Sequence, residues 1–187
     1  MRVVETELPG VVIVEPDVYS DSRGFFLETF HAGRYADLGI ALGDGGRPAQ
    51  LNHSHSIHAT LRGLHFQEPR AQGKLVWVVS GAVFDVAVDV RRGSPTCGKY
   101  ASVELSADRP RQLWIPPGFA HGFCVLSDAA DCMYACSDVY APDCEHSILW
   151  NDPDLAIDWP IAAPLLSPKD ARAPRLSESP ILPVYQG

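Results

Sequence analysis

Lysine is nearly absent from this 187-residue chain: Lys74, Lys99 and Lys169 are the only lysines among its fifteen basic residues. A compact ammonium kept where the rest of the chain uses guanidinium hints at a single-point donor. Basic charge of either kind is in deficit, 15 residues against 23 acidic ones, for a net charge of −8. That argues against a general nucleic-acid binder, whose phosphate affinity needs a basic face. It leaves open a small anion held by a local cluster.

Paired cysteines are missing as well. Cys97, Cys124, Cys132, Cys136 and Cys144 make an odd count with no CxxC spacing, which argues against a disulfide framework and a zinc ribbon and for reduced thiols. No run approaches the roughly 18 apolar residues of a spanning helix, and Met1 to Glu5 carry no apolar stretch of the signal-peptide kind. The expectation is a soluble, cytoplasmic protein with no membrane contact.

What the chain does have is strands. Its length suits one domain, residues 1–187, burying roughly 70% of the unfolded surface. Leu75 to Val79, a Ser80-Gly81 turn and the alternating Val83 to Val90 read as a hairpin. Tyr100 to Leu105 and Gln112 to Ile115 follow, with Phe119, His121 and Phe123 on one face and Cys132, Tyr134 and Cys136 on another. Val11 to Val14 and Phe25 to Phe30 read as two N-terminal strands, and residues 31–39 as a short helix ended by Gly39. The proline-dense segment after Pro160 is expected to wrap the domain in short pieces. Short strands with frequent turns predict an all-β antiparallel jelly roll with a few short helices.

His65 is the side chain best suited to proton transfer near neutral pH, and Lys74, nine residues on, suits an oxygen that becomes negative. His121 and Tyr134 lie on later strands whose inward faces would share one lumen. His53 and His55 have the spacing by which a strand offers two imidazoles to a metal, yet the first carboxylate further along the chain, Glu68, is thirteen residues past His55. Solvated loop histidines are therefore expected, with no metal. Ser167-Pro168-Lys169-Asp170 reads as a capping box, which would account for Asp170 without any role at a site. Tyr140 reads as a half-buried aromatic, and Arg23, Glu28, Arg62 and Glu145 as surface ion pairs.

Taken together, several segments are more specific. Asp21 to Glu28, Gln50-Leu51-Asn52-His53-Ser54, Leu61-Arg62-Gly63-Leu64-His65-Phe66-Gln67, Ser94-Pro95-Thr96, Ile115 to Phe123 and Leu166 to Asp170 resemble the dTDP-4-dehydrorhamnose 3,5-epimerase family, in order, from about residue 5 to about residue 175. The resemblance implies a cupin-type jelly roll, a homodimer formed by exchange of N-terminal strands, and epimerisation of dTDP-4-keto-6-deoxyglucose at carbons 3 and 5 without metal or organic cofactor. It implies His65 as base, Asp170 as its partner, Tyr134 as acid and Lys74 at the sugar 4-oxygen. Arg23, Glu28, Gln50, Asn52, Arg62, His121, Glu145 and Lys169 match substrate contacts of that family, and Tyr140 its stacking residue for thymine. Ile57 to Thr60, Cys132 and Cys136 depart from its pattern. A single-centre epimerase of a related keto sugar, a non-catalytic sugar-nucleotide-binding cupin and a metal-dependent cupin oxygenase stay open as alternatives.

Overall fold

The computed structural model describes residues 1–186. Its strands are β1 Arg2–Glu5, β2 Val12–Glu15, β3 Val18–Asp21, β4 Gly24–Leu27, β5 Gln50–Ile57, β6 Leu61–Gln67, β7 Lys74–Ser80, β8 Ala82–Asp89, β9 Tyr100–Ser106, β10 Gln112–Ile115, β11 Phe119–Val125, β12 Ala129–Cys136 and β13 Glu145–Ser147. One helix, α1 Ala32–Asp37, begins where the His31 imidazole accepts the Arg34 N–H and closes before Gly39. The strands form a six-stranded sheet in the order β1-β2-β10-β7-β12-β5, a five-stranded sheet in the order β13-β6-β11-β8-β9, and a separate β3-β4 hairpin. Every ladder is antiparallel. Two such sheets facing one another across a core make a jelly roll. Among the described residues no helix is long and apolar enough to cross a membrane.

The expected β7-β8 hairpin does not form. The two strands belong to different sheets, because the chain turns a corner at Gly81, where φ is +74° and an added Cβ would meet the Ala129 carbonyl oxygen at 2.1 Å. The N-terminal region holds four strands rather than two, and β4 stops at Leu27. All four residues of β3 are exposed, so it carries no apolar alternation by which a sequence pattern would reveal it.

Packing occupies both faces of each sheet. Between the sheets lie Val76, Leu113 and Ala130 from one and Val83, Ala87, Val103, Phe119 and Phe123 from the other. Outside the six-stranded sheet, Tyr35, Ile40 and Leu42 cover Val14, Leu75 and Trp114. Outside the five-stranded sheet, Ile148, Leu155, Trp159 and Leu176 cover Leu64, Val86, Val88 and Ala120. The apolar stripe of β8 therefore faces the C-terminal wrap, while Asp85 and Asp89 are fully buried on the side of Val83 and Ala87.

Asp89 fastens that wrap. Its carboxylate accepts from Arg91 Nη2 at 2.7 Å, Ser94 Oγ at 2.6 Å and Thr96 Oγ1 at 2.7 Å. The Arg91 guanidinium in turn lies between the rings of Phe119 and Tyr185, 4.3 and 5.0 Å from their centroids. The tail is pinned alongside by the Arg92–Val184 bridge, and it wraps in short pieces as expected.

One irregularity positions the site. Arg62 and His65 are three residues apart, so a regular strand would send them to opposite faces. In the ladder to β11, however, His65 pairs with His121 and Arg62 with Phe123, a separation of only two on that side. The extra residue on β6 is a bulge at Gly63. Gly63 lies against Gly122 with φ +139°, and a Cβ there would stand 2.5 Å from the Gly122 Cα and 3.0 Å from the His121 oxygen.

Two outcomes test these points. Gly63→Ala should lose about 3 kcal/mol of stability in urea unfolding, as a forced backbone separation would; a variant as stable as the parent would show the two strands free to move apart. Burial alone would raise the Asp89 pKa, yet Arg91 and the two hydroxyls hold it down from 3.8 to about 2. A depressed folded-state pKa contributes stability that is present above the unfolded value and lost as the pH falls toward 2. Asp89→Asn should therefore lower the thermal midpoint at pH 6 and flatten its decline between pH 4 and 2.5.

Candidate active site

The bulge on β6 leaves the His65 imidazole pointing into the lumen, where its Nε2 lies 2.6 Å from Asp170 Oδ1. The two differ in exposure: the His65 side chain is 24% accessible and that of Asp170 only 4%. The ring thus faces the cleft and the carboxylate stands behind it, the geometry by which an acid fixes an imidazole's tautomer and orientation. Burial works against the Asp170 charge, but the hydrogen bond and charge of His65 outweigh it, and the pKa is lowered.

The capping reading of Asp170 is half right. Ser167 Oγ accepts the Asp170 N–H at 3.1 Å, and the short 3-10 turn spans Asp170–Arg172 rather than starting at Pro168. The carboxylate completes no box. The serine fixes the backbone and leaves the acid for His65.

Directly across the ladder from His65 is His121, nearly buried, with its Nε2 2.9 and 3.1 Å from the two oxygens of Asp85. Asp85 was not among the residues expected at the site. Its signal was the polar side of the β8 alternation, which in a two-layer fold covered from outside turns out to be the inner side.

The opposite wall comes from the other sheet. Lys74 opens β7 and pairs with Cys136, and Tyr134 pairs with Asn52. Burial lowers the Lys74 pKa and raises that of Tyr134. Burial disfavours the charged form of each, so the phenol keeps its proton, while the charges of Glu145 and Asp85 support the Lys74 ammonium against burial. Below them runs a chain of amides whose polarity is fixed at one end. The backbone N–H of Tyr140 can only donate, and it does so to Gln50 Oε1 at 2.8 Å. Gln50 Nε2 therefore donates to Asn52 Oδ1 at 2.7 Å, and Asn52 Nδ2 is directed at Cys136 Sγ, 3.5 Å away. Asn52 consequently offers donors to this part of the cleft. At the rim Tyr140 Oη donates to Glu145 at 3.0 Å, and Lys169 Nζ lies 2.8 Å from the same carboxylate.

These walls enclose two hollows of about 460 and 280 Å³. Arg62, His121, Lys169 and Asp170 line the first, and Gln50, Asn52, Tyr140 and Glu145 the second, while His65, Lys74 and Tyr134 line both. One continuous cleft thus gathers eleven of the thirteen residues singled out from sequence. Arg23 and Glu28 are not among them. Arg23, 88% accessible, pairs with Asp21 on the β3-β4 hairpin, and Glu28 pairs with Arg34.

His53 and His55 also differ from expectation. They stand on strand β5 rather than in a loop, on its outward face, and their ring nitrogens lie 2.8 and 3.1 Å from one oxygen of Asp131. That carboxylate arrives from the neighbouring strand and was invisible to a search along the sequence. Among the described residues no group of three side chains is arranged to hold a metal ion.

Comparison with known proteins places the chain in a family. The model of the dTDP-4-dehydrorhamnose 3,5-epimerase family matches residues 5–178. The chain belongs to that family. A family member from Neisseria gonorrhoeae, a dTDP-4-dehydrorhamnose 3,5-epimerase, is 54% identical over 171 residues; the match covers 91% of this chain and 51% of the relative, so the chain spans about half that protein's length. A dTDP-4-dehydrorhamnose 3,5-epimerase from Shigella flexneri is 53% identical over 171 residues, covering 91% of this chain and 93% of its own. The crystal structure of a dTDP-6-deoxy-D-glucose-3,5-epimerase from Legionella pneumophila, in complex with dTDP-4-keto-L-rhamnose, has a TM-score of 0.95 at 50% identity and covers 100% of this chain and 99% of that one.

Asp170→Asn separates orientation from capping. The substitution keeps the Ser167 contact to the backbone, so the thermal midpoint should move by only a few degrees while turnover on the family's keto-sugar nucleotide drops about 100-fold. Normal turnover with a large thermal loss would assign the carboxylate a structural role.

Proposed function

We propose that this chain epimerises a dTDP-4-keto-6-deoxyhexose at carbons 3 and 5, converting dTDP-4-dehydro-6-deoxyglucose into dTDP-4-dehydro-L-rhamnose. The observation that carries the proposal is the stretch of cleft shared by the two hollows, where a base backed by a carboxylate on one wall stands across from an ammonium and a phenol on the other. A hydrogen beside a ketone is acidic because the electrons left behind move to oxygen, yet it is a far weaker acid than imidazolium, so the enolate oxygen needs a positive neighbour. His65 takes the proton. Lys74 faces the oxygen that gains the charge, and in a cleft with little water a preorganised donor of this kind contributes several kcal/mol. Inversion then needs a proton delivered from the opposite side, and Tyr134 supplies it.

The remaining contacts follow from chemistry. Arg62 and Lys169 bring positive charge to a diphosphate that an acidic protein would otherwise repel. Tyr140 offers a ring for the thymine, and Gln50, Asn52, His121 and Glu145 line the sugar and nucleotide path. The enolate charge is met by Lys74, so the reading calls on no metal and no organic cofactor. Five unpaired thiols fit work in a reducing cytoplasm.

The proposal extends to a homodimer. Phe25 and Phe26 on the β3-β4 hairpin are 63% and 69% accessible, and Tyr19 beside them is 65%. An apolar hairpin standing clear of its own domain suits burial against a second copy. There it would carry Arg23 and Glu28 toward the partner's cleft.

Turnover in deuterated water tests the assignment of roles. The parent should place two labels in the sugar, one at each centre. His65→Ala should lower both exchange and inversion by about 1,000-fold. Tyr134→Phe should keep exchange while inverted product falls, because abstraction survives loss of the donor opposite. Equal loss of both in the two variants would contradict the division of roles, and a single label in the parent would point to a one-centre epimerase.

A further inference from the structure

Strand β5 turns four polar residues, Gln50, Asn52, Ser54 and Ser56, toward the face that Tyr134 shares. Three have partners. Gln50 and Asn52 belong to the amide chain, and Ser56 Oγ accepts from Arg62 Nε at 3.0 Å. Ser54 is the exception: its Oγ is shielded from solvent and has no hydrogen-bond partner, a state shared among the described residues by only one other side-chain atom, Arg111 Nε. A buried hydroxyl without a partner is unfavourable, and removing it, as alanine does, would relieve the penalty.

Its position suggests what the hydroxyl serves. Ser54 pairs with Cys132 and Asn52 with Tyr134, so Ser54 and Tyr134 are diagonal neighbours on one face, a spacing an aromatic side chain can span. We propose that Ser54 is a positioning residue for Tyr134, a donor reserved for the phenolate that exists only while the sugar carbon is being protonated. This rests on the reading of Tyr134 as the acid. As the Tyr134 O–H bond breaks and the new C–H bond forms, the electron pair of the O–H bond stays on the phenol oxygen. That oxygen then accepts from Ser54, whose own O–H bond remains intact.

Such a contact is worth more in the transition state than before it, which is the requirement for accelerating a step. The surroundings agree. Burial pushes the Tyr134 pKa up, while the Arg62 guanidinium and the Ser54 hydroxyl both act to bring it down. Arg62, held by Ser56 and lining the same hollow, supplies charge to the phenolate, and Ser54 supplies the hydrogen bond.

The test follows dTDP-4-keto-6-deoxyglucose in deuterated water and records, for each variant, label gained without inversion against inverted product. In Ser54→Ala that ratio should rise about tenfold, the effect of one hydrogen bond to a charged oxygen, while exchange stays near the parent rate and the thermal midpoint holds or rises. Ser54→Thr keeps the hydroxyl and should bring the ratio back to within about twofold of the parent. Should Ser54→Ala fail to fold, Ser54→Cys carries the measurement, with its poorer donor giving an intermediate ratio. An unchanged ratio, or an equal fall of exchange and inversion, overturns the role given to Ser54. A parent protein without exchange would overturn the epimerase reading itself; a parent that inverts normally and depends on Tyr134 but not on Ser54 would remove this inference alone.

Discussion

One added residue on β6 decides where the chemistry can occur. Without the bulge at Gly63, Arg62 would fall on the side of Leu64 and Phe66, under the C-terminal wrap, and could not share the lumen with His65. The bulge exists because two glycines, Gly63 and Gly122, let the backbones of β6 and β11 approach more closely than any side chain permits. From that contact follow the pairing of His65 with His121, the reach of His65 to Asp170 and the opening that becomes the cleft.

The rest of the fold provides a dry but polar interior. Because each sheet is covered on its outer face, apolar residues are available for both sides, and the inner face can give up part of its area to charge. Two histidine–aspartate pairs, a buried lysine and a phenol share that interior. The carboxylates are satisfied locally: Asp170 by His65, Asp85 by His121, Glu145 by Tyr140 and Lys169. Local satisfaction is what allows charged groups to stand in a low-dielectric site without destabilising it.

Much of this was legible from residue order. The turns and the β9 to β12 strands were visible because glycine, proline and period-two alternation are local signals, and the shared face of Phe119, His121 and Phe123 is present as expected. What misled was also local. A short link between two alternating runs looks like a hairpin whether or not the chain changes sheets, which is why β7 and β8 were joined. The β3 strand escaped because it is exposed throughout, and the Asp131 partner of His53 and His55 because it lies 76 to 78 positions away.

The sequence by itself determined that the chain would form antiparallel strands around one core, and which side chains had the chemistry to move a proton beside a ketone. Those properties depend on spacing along the chain and on functional groups. Only the tertiary structure decided that Asp170 serves His65 as well as its turn, that Asp85 lies inside rather than outside, that Arg23 and Glu28 stand away from their own cleft, and that Ser54 is left unpaired beside Tyr134. Each depends on which elements meet across long loops. Such meetings are governed by the covering of both sheet faces and by a backbone approach that no local pattern encodes.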